Sequence, residues 1–339
     1  MAEFFADYGL FVLKTVTLVA AFVVIVGTVA AAGKRAMHEG LEVEDLNSKY
    51  RSLAKALKRI VLKKSEQKAD AKADKARRKA ESKAAGKRPR GFVIDFKGDL
   101  KASAAASLRE EVSAILEIAT ADDQVIVRLE NYGGIVHEHG LAASQLARIR
   151  DKGIPLIVAV DKVAASGGYL MACVASRIIA APFAILGSIG VIAQIPNFNR
   201  MLDSHGVDFE QITAGPYKRN VTMFGKNTDE DRARLKEQLD DVHELFKAAV
   251  SKYRPALDLQ KVATGEHWYG TRALELGLVD ELRTSDELLA GLAADRDLFR
   301  VNFRIRQPLP KRLMANVDGL LEKADAAAWR KRFESRLPR

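Results

Sequence analysis

The chain has 339 residues, which suits one large domain with extensions or two domains. Hydrophobic residues make up 48% of it and charged residues 29%, enough for a packed core beneath an ordinary soluble surface. The single cysteine, Cys173, excludes an intrachain disulfide. The formal net charge of +10 is uneven: residues 53–90 hold fifteen Lys or Arg against four Asp or Glu, and the remainder is near neutral at −1. The basic balance therefore belongs to one segment and does not indicate the chemistry of the rest.

The first predicted element is a membrane anchor in residues 1–35. Residues 15–33 carry no charge and are rich in Val and Ala, and as a helix they span about 28 Å, close to the thickness of the hydrocarbon core. A cleaved signal peptide is the alternative, but Glu3 and Asp7 precede the apolar stretch, where a signal peptide carries basic residues. We expect an uncleaved, single-pass contact with the lipid of a bacterial inner membrane. The basic residues after the anchor favour a cytoplasmic body, although a long following domain weakens that rule and leaves the side open.

Residues 36–90 are predicted to form a basic stalk that is helical or disordered. Apolar residues recur at helical spacing as far as Val61, and a stretch rich in Ala and Lys follows. The stalk is interpreted either as a charged spacer or as a polybasic contact with anionic lipid. It lacks interleaved aromatic residues, so no nucleic-acid partner is expected.

The pattern of residues 91–295 predicts an α/β domain in which strands alternate with helices. The predicted strands cover residues 92–96, 125–129, 155–160 and 178–181. The predicted helices cover residues 103–118, 139–152 and 228–253, the last with Thr228 as its N-cap. Residues 178–195 are also uncharged, but Gly and Pro interrupt them, which favours buried strands over a second membrane span. Residues 296–339 are predicted to form a basic C-terminal tail that contacts the membrane surface, the domain or a partner subunit.

A candidate nucleophile, Ser166, lies where a predicted strand meets a predicted helix. The N-terminus of a helix offers free backbone N–H groups to a developing oxyanion, and Gly167 lets a substrate carbonyl approach the backbone. A second glycine pair, Gly133 and Gly134, ends another strand and is a candidate for the other half of an oxyanion site. Taken alone, that pair fits a simple strand-to-helix turn better.

A nucleophilic serine needs a base, and several residues are candidates. His137 and His139 lie near the second glycine pair, so a Ser–His arrangement stays open. These histidines lack the i, i+4 spacing of a helical zinc site, and no metal or other cofactor is expected. A lysine that burial keeps neutral can also serve. Lys162 stands four residues before Ser166, and Lys218 follows a predicted strand; the residues alone do not decide between them.

Four ordered motifs resemble the family of signal peptide peptidase A: DKVAASGGY at 161–169, GSIGV at 187–191, TAGPYKR at 213–219 and ATGEHWYG at 263–270. The resemblance implies a fold like that of ClpP and crotonase, with repeated strand–strand–helix units. It implies a membrane-anchored serine endopeptidase with a Ser166–Lys218 dyad, which cleaves peptide or protein substrates through an acyl-enzyme. It also implies a homo-oligomer in which neighbouring subunits can complete the dyad.

The same resemblance assigns the residues around the dyad. It implies a supporting, substrate-facing role for Ser188, and it implies an oxyanion site made from glycine amides: Gly133 or Gly134, with Gly167. One departure concerns the first glycine turn, where the family usually has Ser-Pro-Gly-Gly and this chain has Asn131 and Tyr132 before its glycines. Proline would fix φ and Tyr132 does not, so the departure bears on the oxyanion geometry rather than on the dyad.

Two alternative functions remain. The Asn131–Tyr132 departure motivates a catalytically weak membrane scaffold that binds unfolded peptides. A crotonase-type acyl-CoA enzyme would use the glycine turns for a thioester oxyanion and would need neither Ser166 nor Lys218. A serine-reactive probe separates the peptidase from the scaffold, and acyl-CoA turnover separates it from the crotonase-type enzyme.

Overall fold

The computed structural model describes residues 9–22, 40–84, 88–215, 218 and 221–305. Its strands are β1 (Gly40–Asp45), β2 (Arg90–Lys97), β3 (Gln124–Glu130), β4 (Leu156–Val160), β5 (Val163–Ala165), β6 (Arg177–Ala180), β7 (Ile185–Gly187), β8 (His267–Tyr269), β9 (Glu281–Leu282) and β10 (Asp297–Arg304). Its helices are α1 (residues 9–22), α2 (Leu46–Val61), α3 (Lys64–Ala84), α4 (Ala105–Ile118), α5 (Val136–Asp151), α6 (Gly167–Ala172), α7 (Asn199–Ser204), α8 (Asp229–Tyr253), α9 (Leu259–Val262), α10 (Gly270–Glu275) and α11 (Ser285–Leu292).

Seven strands form the main sheet in the order β1-β10-β2-β3-β4-β6-β9. β1 runs antiparallel to β10, and the other neighbouring pairs are parallel. Parallel strands joined by helices are buried on both faces, which explains why the successive residues Val93 and Ile94 are both fully buried. The predicted α/β class is confirmed.

Helices cover both faces of this sheet. On one face α4, α5, α6 and the C-terminal part of α8 form the larger core, in which Leu108, Leu146 and Met171 are buried. On the other face α11 and the start of α2 form a smaller core around Leu46 and Leu288. The strands that lead to the candidate site, β3 and β4, are therefore held from both sides.

A second sheet of three short strands, in the order β5-β7-β8, joins the main sheet at the end of β3. Asn131, the residue after β3, forms an isolated bridge with Ala164 in β5. The Asn131 N–H donates to the Val163 carbonyl oxygen at 2.9 Å, and the Ala165 N–H donates to the Asn131 carbonyl oxygen at 3.0 Å. This junction sets the end of β3 beside the segment that leads into α6.

The main sheet extends past both ends of the predicted peptidase domain, residues 91–295. β1 lies within the predicted stalk, and β10 lies wholly within the predicted tail. The Asn47 side chain secures this edge through hydrogen bonds with backbone groups of three residues: Ala293, Arg296 and Leu298. The pairing of β1 with β10 joins segments that are distant in sequence, so no local pattern reveals it.

The described residues include only part of the predicted membrane anchor and of the predicted C-terminal tail. No helix within the described ranges is long and apolar enough to cross a membrane. α1 includes the first part of the predicted anchor, while residues 23–33 lie outside the described residues, as do residues 306–339 of the predicted tail. The anchor therefore stays a prediction.

α8 begins where the sequence predicts. The Thr228 hydroxyl accepts the Asp231 N–H, and the Asp231 carboxylate accepts the Thr228 N–H, which together form a capping box. Only the C-terminal half of this helix packs into the larger core, where Phe246 and Val250 are buried.

Between β7 and α8, the described residues of 191–227 form a mostly exposed segment that we call the arm. The arm folds back on itself near its two ends. The Asn197 side-chain amide donates to the carbonyl oxygens of Thr222 and Gly225, both at 3.0 Å. The Phe198 ring stacks on Phe224, with ring centroids 6.0 Å apart. The arm therefore depends mainly on contacts within itself.

Candidate active site

Ser166 stands at the junction of β5 and α6 with a φ of 53° and a ψ of −120°. A residue other than glycine is strained at positive φ, and such strain persists where the surrounding structure enforces it, often at functional sites. The Ser166 N–H donates to the Gly187 carbonyl oxygen at 2.8 Å, which fixes the turn to β7. The side chain is partly exposed, and its hydroxyl has no hydrogen-bond partner in the described part of the chain. A strained serine at a strand-to-helix turn is typical of a nucleophile.

Gly133 lies directly against this serine. A Cβ added at Gly133, whose φ is +88°, would come within 2.7 Å of Ser166 Cβ and 3.0 Å of Gly167 N. A Cβ added at Gly168 would reach 2.3 Å from the Asn131 carbonyl oxygen. The glycines allow the turn at residues 131–134 and the turn at Ser166 to approach this closely. The structure thus brings together the two glycine pairs singled out in the sequence.

The amides of these glycines differ in what they bind. The Gly133 N–H donates to Asn131 Oδ1 at 2.8 Å, so it is already engaged. Neither the Gly134 N–H nor the Gly167 N–H has an acceptor among the described residues. Of the alternatives Gly133 and Gly134, the geometry favours Gly134 as an amide that is free to bind an oxyanion.

The histidines near this turn do not supply a base to Ser166. His139 is fully buried, with Nδ1 3.0 Å from the Ile135 carbonyl oxygen and Nε2 3.2 Å from Asn131 Oδ1. Both of its ring nitrogens therefore face other groups than Ser166. His137 is exposed and lies beside Glu138. Within the described ranges, no three His, Cys, Asp or Glu side chains gather as a metal site requires.

Lys162, one of the two lysine candidates, forms an ion pair. Its Nζ lies 3.0 Å from Glu130 Oε2 on β3, and its side chain is exposed. The hydrogen bond to Glu130 raises the pKa of Lys162. A general base must instead lose its proton near neutral pH, so this contact disfavours Lys162 as the base.

Lys218, the other candidate, lies in the arm with its side chain exposed. Its backbone N–H is 3.3 Å from the Gly215 carbonyl oxygen. Residues 216, 217, 219 and 220, which flank it, lie outside the described residues. No hydrogen bond joins Lys218 to Ser166 in the described part of the chain. The described residues therefore do not show the hydrogen bond expected of the predicted Ser166–Lys218 dyad.

Ser188 directly follows β7, which pairs in parallel with β5 so that Gly187 lies opposite Ala165, the residue before Ser166. Its φ is 52°, and its N–H donates to the Glu266 carbonyl oxygen at 2.6 Å. The adjacent Gly187 pairs with His267 on β8, and burial lowers the pKa of His267. The side chain of Ser188 is partly exposed, as is that of Tyr132 at the other turn. Ser188 is thus close in the fold to the strand that holds the Ser166 turn.

Asn131 is the site residue whose role the sequence did not predict. In the sequence it stands out only as a departure from the family motif. In the structure its side chain is fully buried and accepts a hydrogen bond from the Gly133 N–H. The available signal was its position two residues before a glycine, where an Asn side chain commonly accepts a backbone N–H.

An α/β domain that presents a strained serine beside free glycine amides is typical of hydrolases of the serine type. Comparisons with known proteins identify the family within this class. Residues 3–146 match the peptidase family S49 N-terminal region, and residues 148–298 match peptidase family S49. The chain belongs to peptidase family S49 and is a serine-type peptidase, as its resemblance to signal peptide peptidase A predicts.

Individual relatives agree with this membership. Probable protease SohB of Haemophilus influenzae is 44% identical over 325 residues, which cover 91% of this chain and 92% of that protein. Probable protease SohB of Buchnera aphidicola subsp. Acyrthosiphon pisum is 53% identical over 226 residues, which cover 67% of each. Among solved structures, a mutant of the 1510-N membrane-bound stomatin-specific protease with a substrate peptide aligns with a TM-score of 0.37 and 13% identity, over 68% of this chain and 98% of that one.

Proposed function

We propose that this peptidase is a membrane-anchored serine endopeptidase in which Ser166 is the nucleophile and Lys218 the general base. The amides of Gly134 and Gly167 bind the oxyanion. The observation that carries the proposal is the strained Ser166 turn, which is packed against Gly133 and has a free hydroxyl. The ion pair of Lys162 and the engaged nitrogens of His139 leave Lys218 as the base among the candidates.

The chemistry follows from these roles. Neutral Lys218 takes the Ser166 proton while Oγ bonds to the carbonyl carbon of the substrate, and the carbonyl electrons move onto the oxygen. The two glycine amides stabilise that oxyanion. When the intermediate collapses, the C–N bond breaks and the leaving amine takes the proton from Lys218. Water then attacks the acyl-enzyme with Lys218 again as base, which releases the acid product and restores Ser166.

Lys218 must be neutral to act, and burial lowers the pKa of a lysine because it disfavours the charged form. Because its side chain is exposed among the described residues, the proposal includes a second copy that covers the arm in an active homo-oligomer. Support comes from the exposed large apolar side chains on the arm: Ile192, Ile195, Phe198, Met201, Val207, Phe209, Ile212, Met223 and Phe224. Clusters of this kind mark interaction surfaces.

The proposal keeps the anchor at residues 15–33 and a single-pass location in the bacterial inner membrane, with the catalytic body on the cytoplasmic side. The uncharged stretch and the basic helices α2 and α3 that follow β1 support it. The substrates are then membrane-derived peptides or protein tails near the bilayer. The proposal also includes a fold like that of ClpP and crotonase. The strand–helix repeats of the main sheet support it.

The test is labelling of the purified full-length protein with a fluorophosphonate, beside cleavage of casein. We expect wild type to be labelled and to cleave, and Ser166→Ala to do neither. Ser188→Ala is the matched control for labelling, because Ser188 is also a strained serine after a strand; it should still be labelled. An unlabelled, inactive wild type would support the peptide-binding scaffold, and labelling that survives in Ser166→Ala would reject Ser166 as the nucleophile.

A further inference from the structure

The turn that supplies the oxyanion amide is held by a side chain rather than by a proline. Asn131 is fully buried, and its Oδ1 accepts the Gly133 N–H at 2.8 Å. Such a contact from an Asn to the residue two positions on closes a compact turn. It also draws the Gly133 amide inward, while the next amide, that of Gly134, stays free. The Asn131 side chain therefore decides which of the two glycine amides is available.

The backbone of Asn131 ties the same turn to the nucleophile. Its N–H and its carbonyl oxygen both bond to β5, at Val163 and Ala165. Ser166 directly follows that strand. A movement of Asn131 is thus transmitted both to the Gly133–Gly134 turn and to the serine.

His139 holds the Asn131 side chain in place. Its Nε2 lies 3.2 Å from Asn131 Oδ1, and its Nδ1 lies 3.0 Å from the Ile135 carbonyl oxygen at the start of α5. Its ring also packs against Gly167, which carries the other proposed oxyanion amide: a Cβ added at Gly167 would come within 2.5 Å of the ring. One buried imidazole therefore contacts both halves of the oxyanion site.

We propose that the buried Asn131–His139 pair is the positioning element of the oxyanion site, which fixes the Gly133–Gly134 turn against Ser166 and orients the Gly134 amide. The inference rests on the proposed function, in which that amide binds the oxyanion. Neither residue touches the substrate, so both act through the backbone. Glycine turns have much conformational freedom, and without the pair the free amide loses its fixed direction.

The expected effect is on turnover rather than on substrate binding. An oxyanion amide acts in the transition state, so its misplacement lowers kcat and leaves KM nearly unchanged. A displacement of about 1 Å in a catalytic group lowers rates by up to roughly 100-fold. We therefore expect Asn131→Leu and His139→Leu each to lower kcat by about 10- to 100-fold.

The experiment measures kcat, KM and Tm for the purified full-length protein and its variants on a peptide substrate. His139→Gln is the conservative variant, because its amide can donate to Asn131, and it should recover most of kcat. The double variant Asn131→Leu with His139→Leu should be no slower than the worse single variant, since the two residues act as one unit. Asn47→Leu is the matched control: Asn47 is also a buried, multiply bonded asparagine, but at the β1–β10 edge, so Tm should fall and kcat should not.

The outcomes distinguish a positioning role of the Asn131–His139 pair from a purely structural one. If Asn131→Leu and His139→Leu lower Tm as Asn47→Leu does but keep wild-type kcat, the pair is only structural and the inference fails. Equal damage in His139→Gln and His139→Leu would also overturn it. If Asn131→Leu does not fold, the two His139 variants carry the decision. Activity that survives in Ser166→Ala would instead reject the proposed function, which keeps the two failures distinct.

Discussion

The turn region, residues 131–134 with 163–168, differs sharply from the arm in how it is held. In the turn region, a single added Cβ at Gly133 or Gly168 would collide with the facing backbone or side chain. In the arm, most side chains are exposed, and contacts such as the Phe198–Phe224 stacking are local. The described residues therefore build the nucleophile half of the proposed site, while none of them covers the exposed side chain of Lys218.

This difference suggests a division of tasks. Strain at Ser166 and the close approach of the glycines require rigid support, which the parallel sheet and its helices provide. The base needs an environment that lowers its pKa, and an exposed arm gains that environment only when another surface covers it. Assembly would then control activity by completing the base rather than by reshaping the nucleophile.

The largest expected effect distinguishes the two lysines. Lys218→Ala should lower kcat by roughly 10²- to 10⁴-fold, the usual contribution of a general base. Lys162→Ala should change kcat by less than about twofold, because Lys162 forms an exposed surface ion pair with Glu130. Casein cleavage by the two full-length variants, with equal Tm values as a check on folding, makes the measurement. A large loss in Lys162→Ala with none in Lys218→Ala would reverse the assignment of the base.

The next effect tests the rigidity of the turn region. Gly133→Ala should lower kcat by about 100-fold, because its Cβ would lie 2.7 Å from Ser166 Cβ at a strained positive φ. Gly140→Ala is the matched control, since Gly140 lies within α5 and nothing approaches its Cβ within 4 Å. That change should raise the free energy of unfolding by up to about 1 kcal/mol and leave cleavage unchanged. Wild-type kcat in Gly133→Ala would show that the close contact is dispensable.

Much of the turn region could be predicted, because its signals are local. Ser166 and the glycine pairs follow strands that the apolar pattern reveals, and the positions of α4, α5 and α8 agree with the predicted helices. Apart from the family resemblance, the residues alone could not distinguish the two lysines, because the contact of Lys162 with Glu130 depends on the fold. The Asn131–His139 contact likewise depends on how α5 packs against the end of β3. β1 and β10 could not be predicted for the same reason, because they pair with each other although they lie near opposite ends of the described sequence.

A smaller effect tests whether the arm is covered in the active protein. Ile212 is 95% exposed, so Ile212→Asn removes almost no contact with the described residues. If a second copy covers the arm, the variant should shift the protein to smaller species and lower cleavage by about 10-fold, since burying an Ile contributes about 1.5–3 kcal/mol. Ile118→Asn is the control, an exposed isoleucine at the end of α4. Sedimentation velocity and casein cleavage give the readouts, and unchanged assembly and activity in Ile212→Asn would argue against a cover at this position.

The smallest effect on activity is expected from a substitution of Glu111, which lies in neither the turn region nor the arm. Burial on α4 raises the pKa of Glu111 to about 7, although its carboxylate accepts the Phe303 N–H at 2.8 Å. Since the unfolded state releases this proton at a lower pH, the folded state binds more protons between about pH 4.5 and 7, and stability falls as the pH rises through that window.

Glu111→Gln keeps an oxygen for the Phe303 N–H but has no proton to lose. Relative to this variant, wild type should therefore lose about 2 kcal/mol of unfolding free energy between pH 5 and pH 8, as urea denaturation would measure. Glu110→Gln, at the neighbouring exposed position, should retain the wild-type dependence. Cleavage by the folded protein should be equal in all three, because the β10 edge is joined neither to the Ser166 turn nor to the arm. A pH dependence that persists in Glu111→Gln would assign it to another group, and a loss of cleavage would show that the sheet edge and the turn region are coupled.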